Sequence, residues 1–172
     1  EAVGAANASA GAEVITLPAN TYILTIAGVG ENANATGDLD ITDAGGSLTI
    51  NGAGLATTII DGGALDNVIE APGTASLTLD GVTLRNGNGN GVNTVSGNVT
   101  VTSSSIIDNN GGGINTYGGN VNVTDSTIDG NSSTGINTYA GNVDVTDSTI
   151  DGNSSTGINT SSGGVYIDGS TV

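Results

Sequence analysis

The sequence predicts an all-β fold: a right-handed parallel β-helix of about seven 22-residue coils, closed at its N-terminal end by a short helical cap. Three observations point there. A 22-residue repeat runs without drift through the second half of the chain. Within each repeat, apolar residues alternate in runs of three to five that are bounded by Gly, Asn, Asp and Ser, the pattern of short strands and turns. Large side chains are nearly missing: 172 residues include 30 Gly and 4 Tyr but no Phe, Trp, Met, Cys or His. A narrow stacked coil has room for Val, Ile, Leu and Ala only.

The repeat is clearest where Asn120–Gly141 (NVNVTDSTIDGNSSTGINTYAG) is followed by Asn142–Gly163 (NVDVTDSTIDGNSSTGINTSSG), which match at 19 of 22 positions. The segments beginning at Ser76, Asn98 and Gly164 keep the same frame. A unit of this length suits one coil of a solenoid. Left-handed coils run on hexapeptides, so a period of 22, with the general handedness of parallel crossovers, favours the right-handed form.

Taken in chain order, a single domain spans 1–172. Residues 1–20 hold a cap and a first strand, and Glu1–Ala8 has Ala-rich helical propensity suited to covering an apolar solenoid end. Residues 21–75 are irregular coils, with strands around Ile23–Ile26 and Leu39–Ile41 and a polar loop at Gly30–Gly37. Ser47–Ala75 keeps the frame through Leu48, Ile50, Ile59 and Val68, with extra residues mainly at Ala53–Ala56 and Thr74–Ala75. Residues 76–172 are regular coils.

Stacking at about 4.8 Å puts equivalent residues above one another. Four inward columns follow: Leu77, Val99, Val121, Val143, Val165; Leu79, Val101, Val123, Val145, Ile167; Leu84, Ile106, Ile128, Ile150, Val172; and Val92, Ile114, Ile136, Ile158. Ser104, Ser126, Ser148 and Ser170 fill a tight corner. Asn93, Asn115, Asn137 and Asn159 form an amide ladder placed at a turn. Thr83, Ser105, Thr127, Thr149 and Thr171 form an outward hydroxyl ladder, a weak ice-binding signal.

Charge and composition exclude several functions. Arg85 is the only basic residue against 17 acids, for a net charge of −16, so nothing can neutralise nucleic-acid or membrane phosphates. No apolar run has the roughly 20 residues of a membrane span, and membrane insertion is not expected. The lack of Cys and His removes disulfides, thiolate zinc sites and the commonest general base. Acidic, Cys-free and rich in Ser, Thr and Asn, the chain reads as a bacterial extracellular protein.

At Ile15–Tyr22 the sequence becomes specific. The run EAVGAANASAGAEVITLPANTYILTIAG, followed by GDLDIT, LTINGAGLATTIIDGG and LTLDGVTLRNG, resembles bacterial secreted or cell-surface right-handed β-helix repeat proteins. Those carry a Cys-Ser-Leu-Arg-Glu-Ala signature and an LPAGTY strand. Here Asn20 stands where Gly is usual, and the first four signature residues are missing. The resemblance implies a secreted or surface protein and no catalytic residues.

No catalytic residue and no required cofactor are expected. Arg85 follows inward Leu84 and should point outward, paired with an acid. Ca²⁺ is a possible ligand of the loop acids Asp38, Asp40 and Asp43, or of the stacked turn acids Asp125 with Asp147 and Asp129 with Asp151. Asn-x-Ser/Thr occurs at Asn7, Asn34, Asn98, Asn122, Asn131, Asn153 and Asn159. The last coil leaves Val165, Ile167 and Val172 as a stacking end, and end-to-end self-association into fibres is the expected partnership. The expected role is a non-enzymatic structural stalk, adhesin or filament subunit. The alternative is a carbohydrate-binding or pectin-lyase-like polysaccharide-processing β-helix, with surface glycans as partners.

Overall fold

The computed structural model describes residues 1–9, 11–43 and 46–172. Short strands wind into three parallel sheets. Sheet A has seven strands: Ala12–Leu17, Ser47–Gly52, Ser76–Asp80, Val99–Thr102, Val121–Thr124, Val143–Thr146 and Val165–Asp168. Sheet B has six, Asn20–Ile23, Thr58–Asp61, Thr83–Arg85, Ser105–Ile107, Thr127–Asp129 and Thr149–Asp151. Sheet C has six, Leu39–Asp40, Ile69–Ala71, Val92–Thr94, Ile114–Thr116, Ile136–Thr138 and Ile158–Thr160. Each coil therefore runs A, B, C before rising to the next. Six circuits carry all three strands and sheet A runs one strand further, slightly fewer coils than the seven expected.

Register follows the repeat. From Leu77 onward, sheet A pairs Leu77, Val99, Val121, Val143 and Val165 in one line, each 22 residues from the last. A one-residue slip would turn every Val of a strand outward, so the alternation itself holds the register. The inward columns are dry: Leu79, Leu84, Val92, Val101, Ile106, Ile114, Ile128 and Ile136 are fully buried. Parallel sheets are usually covered on both faces. Here it is chiefly the inner face of each sheet that is buried, and three inner faces share one slender core.

The irregular coils depart from expectation in detail. Ile60, not Ile59, continues the third column, because Ile59 pairs with Thr83 and Ile60 with Leu84. The Gly52–Thr57 loop takes one more residue than an inward Ile59 would require, and two adjacent Ile residues give alternation no means of choosing between them. In sheet C, Ile69 pairs with Val92; Val68 is buried beside it, just before the strand. In the first coil the sheet-B strand is Asn20–Ile23 and the sheet-C strand ends at Asp40, so Ile26 and Ile41 lie outside strands.

The N-terminal helix, Ala2–Asn7, forms where Ala-rich sequence places it. Six residues are too few to hold a helix alone. It persists by burying Val3 and Ala6 against the open top of the first coil, over Ala12–Leu17 and Leu39–Asp40. Asn7 pins it there: its amide donates to the Asp40 carbonyl at 2.7 Å and accepts from the Thr42 amide at 3.0 Å.

Candidate functional site

Polar ladders run beside the apolar columns and convert every corner of the coil into an inter-coil bond. The serine column is inward, as expected. Ser126 and Ser148 accept from the backbone N–H of Ser104 and Ser126 at 3.1 Å, while each hydroxyl donates to a carbonyl of its own turn at 2.7 Å. The column at Asn93, Asn115, Asn137 and Asn159 bonds amide to amide at 2.7–2.8 Å. It lies in the middle of the sheet-C strands rather than at a turn, since Asn alternates there with inward Ile and Thr.

A second, buried Asn column was not anticipated. Asn109 and Asn131 are fully enclosed. Asn131 Oδ1 accepts from both the backbone N–H and the side-chain amide of Asn109, at 3.1 and 3.0 Å. Its own amide donates to the Ile106 carbonyl at 3.1 Å and to Asn153 Oδ1 at 2.9 Å. The signal was present as Asn recurring in frame at 109, 131 and 153, but Asn beside Gly and Asp reads as ordinary turn chemistry. Burial also removes the Asn131 sequon as a glycosylation acceptor.

The stacked acids are solvated, Asp125 and Asp147 in turns and Asp129 and Asp151 at strand ends. Asp125, Asp147, Asp129 and Asp151 are all exposed. Asp125 and Asp147 have φ of 49° and 47°, in the left-handed region that Gly81 and Gly169 occupy in equivalent turns; Asp tolerates that region better than most residues. Asp129 pairs with Asp151 at the ends of sheet-B strands. Among the described residues, no group of three or more His, Cys, Asp or Glu side chains is placed to hold a metal ion.

The loop acids are different. Asp40, on the outer side of the first sheet-C strand, and Asp38, just before that strand, are buried, while Asp43 lies further along, with one carboxylate oxygen enclosed and without a partner among the described residues. Burial, then the charges of Asp40, Asp66 and Glu70, push the Asp38 carboxyl up to about 7. Burial also raises Asp40, against the bond it accepts from the Asn34 amide. The backbone N–H of Thr36, with those of Ala33 and Ala35, holds Glu31 below its ordinary value.

Arg85 points outward and meets Asp61 at 3.0 Å. Burial opposes ionisation of Asp61, yet bonds from Asn86, the Gly63 amide and Arg85 keep its pKa below the usual value. The hydroxyl ladder is not a uniform outward array. Thr83 and Ser105 are buried, and Thr83 donates to the Leu55 carbonyl at 2.7 Å, because the Gly52–Thr57 loop folds over that edge. Tyr117 and Tyr139 stack at 4.8 Å with nearly parallel rings and remain exposed.

At the far end, Val165, Ile167 and Val172 are 44%, 46% and 51% exposed, whereas their column-mates are dry. At the near end, Ile15, Leu17, Leu24, Leu39, Ile50 and Ile60 line an apolar cavity of about 250 Å³ beneath the helix.

No curated protein and no solved structure matches the chain. A family model described as a right handed beta helix region matches residues 40–172, which takes in every coil from the second onward. The chain therefore belongs to the right-handed β-helix family.

Proposed function

We propose that the chain is a non-enzymatic structural element of the bacterial cell exterior: a β-solenoid stalk or fibre subunit whose coils accept further coils end to end. The supporting observation is the unbroken 22-residue register of hydrophobic and amide columns, which leaves the outer edge of Val165–Asp168 shaped like every internal edge. A further coil, following in the chain or supplied by a second copy, would extend the ladders and cover Val165, Ile167 and Val172. Contacts of that kind are heterologous and propagate. The high negative charge favours solubility of strands that would otherwise pair out of register.

The test is electron microscopy with light scattering on the purified chain, with and without Ca²⁺ and across salt. Elongated assemblies are expected, and Ile167→Asp, which puts a charge into the stacking face, should leave only single particles that still unfold cooperatively, at a somewhat lower temperature because Ile167 is half-buried against Val145. Wild-type chain that stays monomeric under every condition overturns the reading.

One observation favours the carbohydrate alternative: the exposed Tyr117–Tyr139 pair offers an aromatic surface. Against polysaccharide processing, the only basic side chain is engaged with Asp61. Binding on a glycan array that is lost in Tyr117→Ala would support this second reading.

A further inference from the structure

Segment 28–37 folds back along the free edge of the first sheet-C strand, where Asn34 meets the backbone of Asp40. It is fastened at three places. The Gly30 amide donates to Asp66 Oδ2 at 2.9 Å, and the Gly37 amide donates to the Ile26 carbonyl at 2.8 Å. Between them, the Asn34 amide donates to Asp40 Oδ2 and the Asp40 amide to Asn34 Oδ1, both at 2.9 Å. Gly30 and Gly37 have φ of 67° and 76°, so the segment turns on two residues that take the left-handed region without strain.

Beneath and within this segment, carboxylates meet from every side. Asp40 comes from the strand and Asp38 from the residue just before it, Asp66 and Glu70 from the next coil, and Glu31 from the segment itself. The helix packed on the same strand carries no charged residue between Ala2 and Asn7. Arg85 is committed to Asp61. The Asn67 amide is the side-chain donor, 3.0 Å from Glu70 and 3.5 Å from Asp38. Asp40 Oδ1 is enclosed with no partner among the described residues. Buried like charges cannot all stay ionised, and an enclosed carboxylate oxygen with no donor is costly. Protons remove both penalties.

We propose that segment 28–37 is a proton-operated clasp, closed over sheet C while Asp38 and Asp40 hold protons and released when they ionise, baring an acidic face of Asp38, Asp40, Asp66 and Glu70. The transition falls near neutrality, where Asp38 titrates. The direction follows from linkage: Asp38 and Asp40 bind protons more tightly in the closed form, so their contribution to closure declines as pH rises to about 7 and is flat above that, while Glu31, held low by the segment's own N–H groups, contributes with the opposite sign and only in stronger acid.

Hydrogen exchange followed by mass spectrometry, corrected for intrinsic rates, tests this on the whole chain. Protection of 28–37 should fall at least about tenfold between pH 5 and pH 8, one pKa unit being a factor of ten, while strands Val99–Thr102 and Val121–Thr124 stay equally protected. Asp38→Asn, neutral and of the same shape, should keep the segment protected at pH 8. Carbon-detected NMR on the unmutated chain gives a second reading: the Asp38 carboxyl and the Gly30 and Asn34 amides should titrate together. Protection independent of pH, an unchanged response in Asp38→Asn, or an Asp38 carboxyl that titrates below pH 5 overturns the proposal.

Discussion

Asn131→Ala is expected to destabilise the solenoid by about 4 kcal/mol and to lower its melting temperature more than truncation of any solvent-facing amide. Asn131 has no exposed surface, and removing its side chain breaks four bonds at once. The Asn109 backbone N–H loses its acceptor and the Ile106 carbonyl its side-chain donor, whereas the Asn109 side-chain amide keeps the Ile107 carbonyl and Asn153 Oδ1 keeps the Asn131 backbone N–H. Each buried unsatisfied group costs about 1–3 kcal/mol, offset in part by water entering the gap. Asn137→Ala is the matched control. Asn137 occupies the outer amide ladder, with bonds of 2.8 and 2.7 Å to Asn115 and Asn159, but water can replace them, so a cost under about 1 kcal/mol is expected. Urea denaturation of the two variants separates the cases, and equal midpoints would refute the distinction between structural and surface ladders.

Gly119→Ala is the second large effect. Gly97, Gly119, Gly141 and Gly163 stack in one column at the corner leading into sheet A, and a Cβ on Gly119 would overlap the carbonyl oxygen of Gly97. That neighbour is backbone, fixed by the sheet on either side, so relief requires prying two coils apart. Overpacking of this kind costs about 1–3 kcal/mol or more, and here it also weakens the flanking ladder bonds. Gly118→Ala, one residue away, is the control: its Cβ would meet nothing closer than 3.6 Å. Calorimetry should show Gly118→Ala melting near wild type and Gly119→Ala far below it.

These two positions show what the sequence made legible. Wherever contacts span 22 residues, the frame alone named the partners, which is why the four apolar columns and the serine corner were readable. A recurring Gly or Asn was visible too, but turn propensity accounts equally well for both residues, so their burial was not. The Asn93 column was mislocated for the same reason. In the irregular coils the frame no longer applies. The Ile59–Ile60 pair left register ambiguous, and the bonds that fasten 28–37 span 6 and 36 residues, distances that no repeat announces. The acids at Asp38 and Asp40 stood out as a cluster; that a loop would close over them, and that Asp66 and Glu70 would join them from the next coil, depends on the insertions.

The central claim is that each 22-residue unit is one autonomous coil and that the molecule is a rod of such units. It is tested most directly by inserting one further copy of Asn120–Gly141 after Gly141 and measuring particle length by small-angle scattering. The account predicts a cooperatively folded chain, at least as stable as the parent and longer along one axis by about 4.8 Å, the spacing of adjacent strands. An unfolded product, or a folded one of unchanged length with the insert looped out, would contradict it.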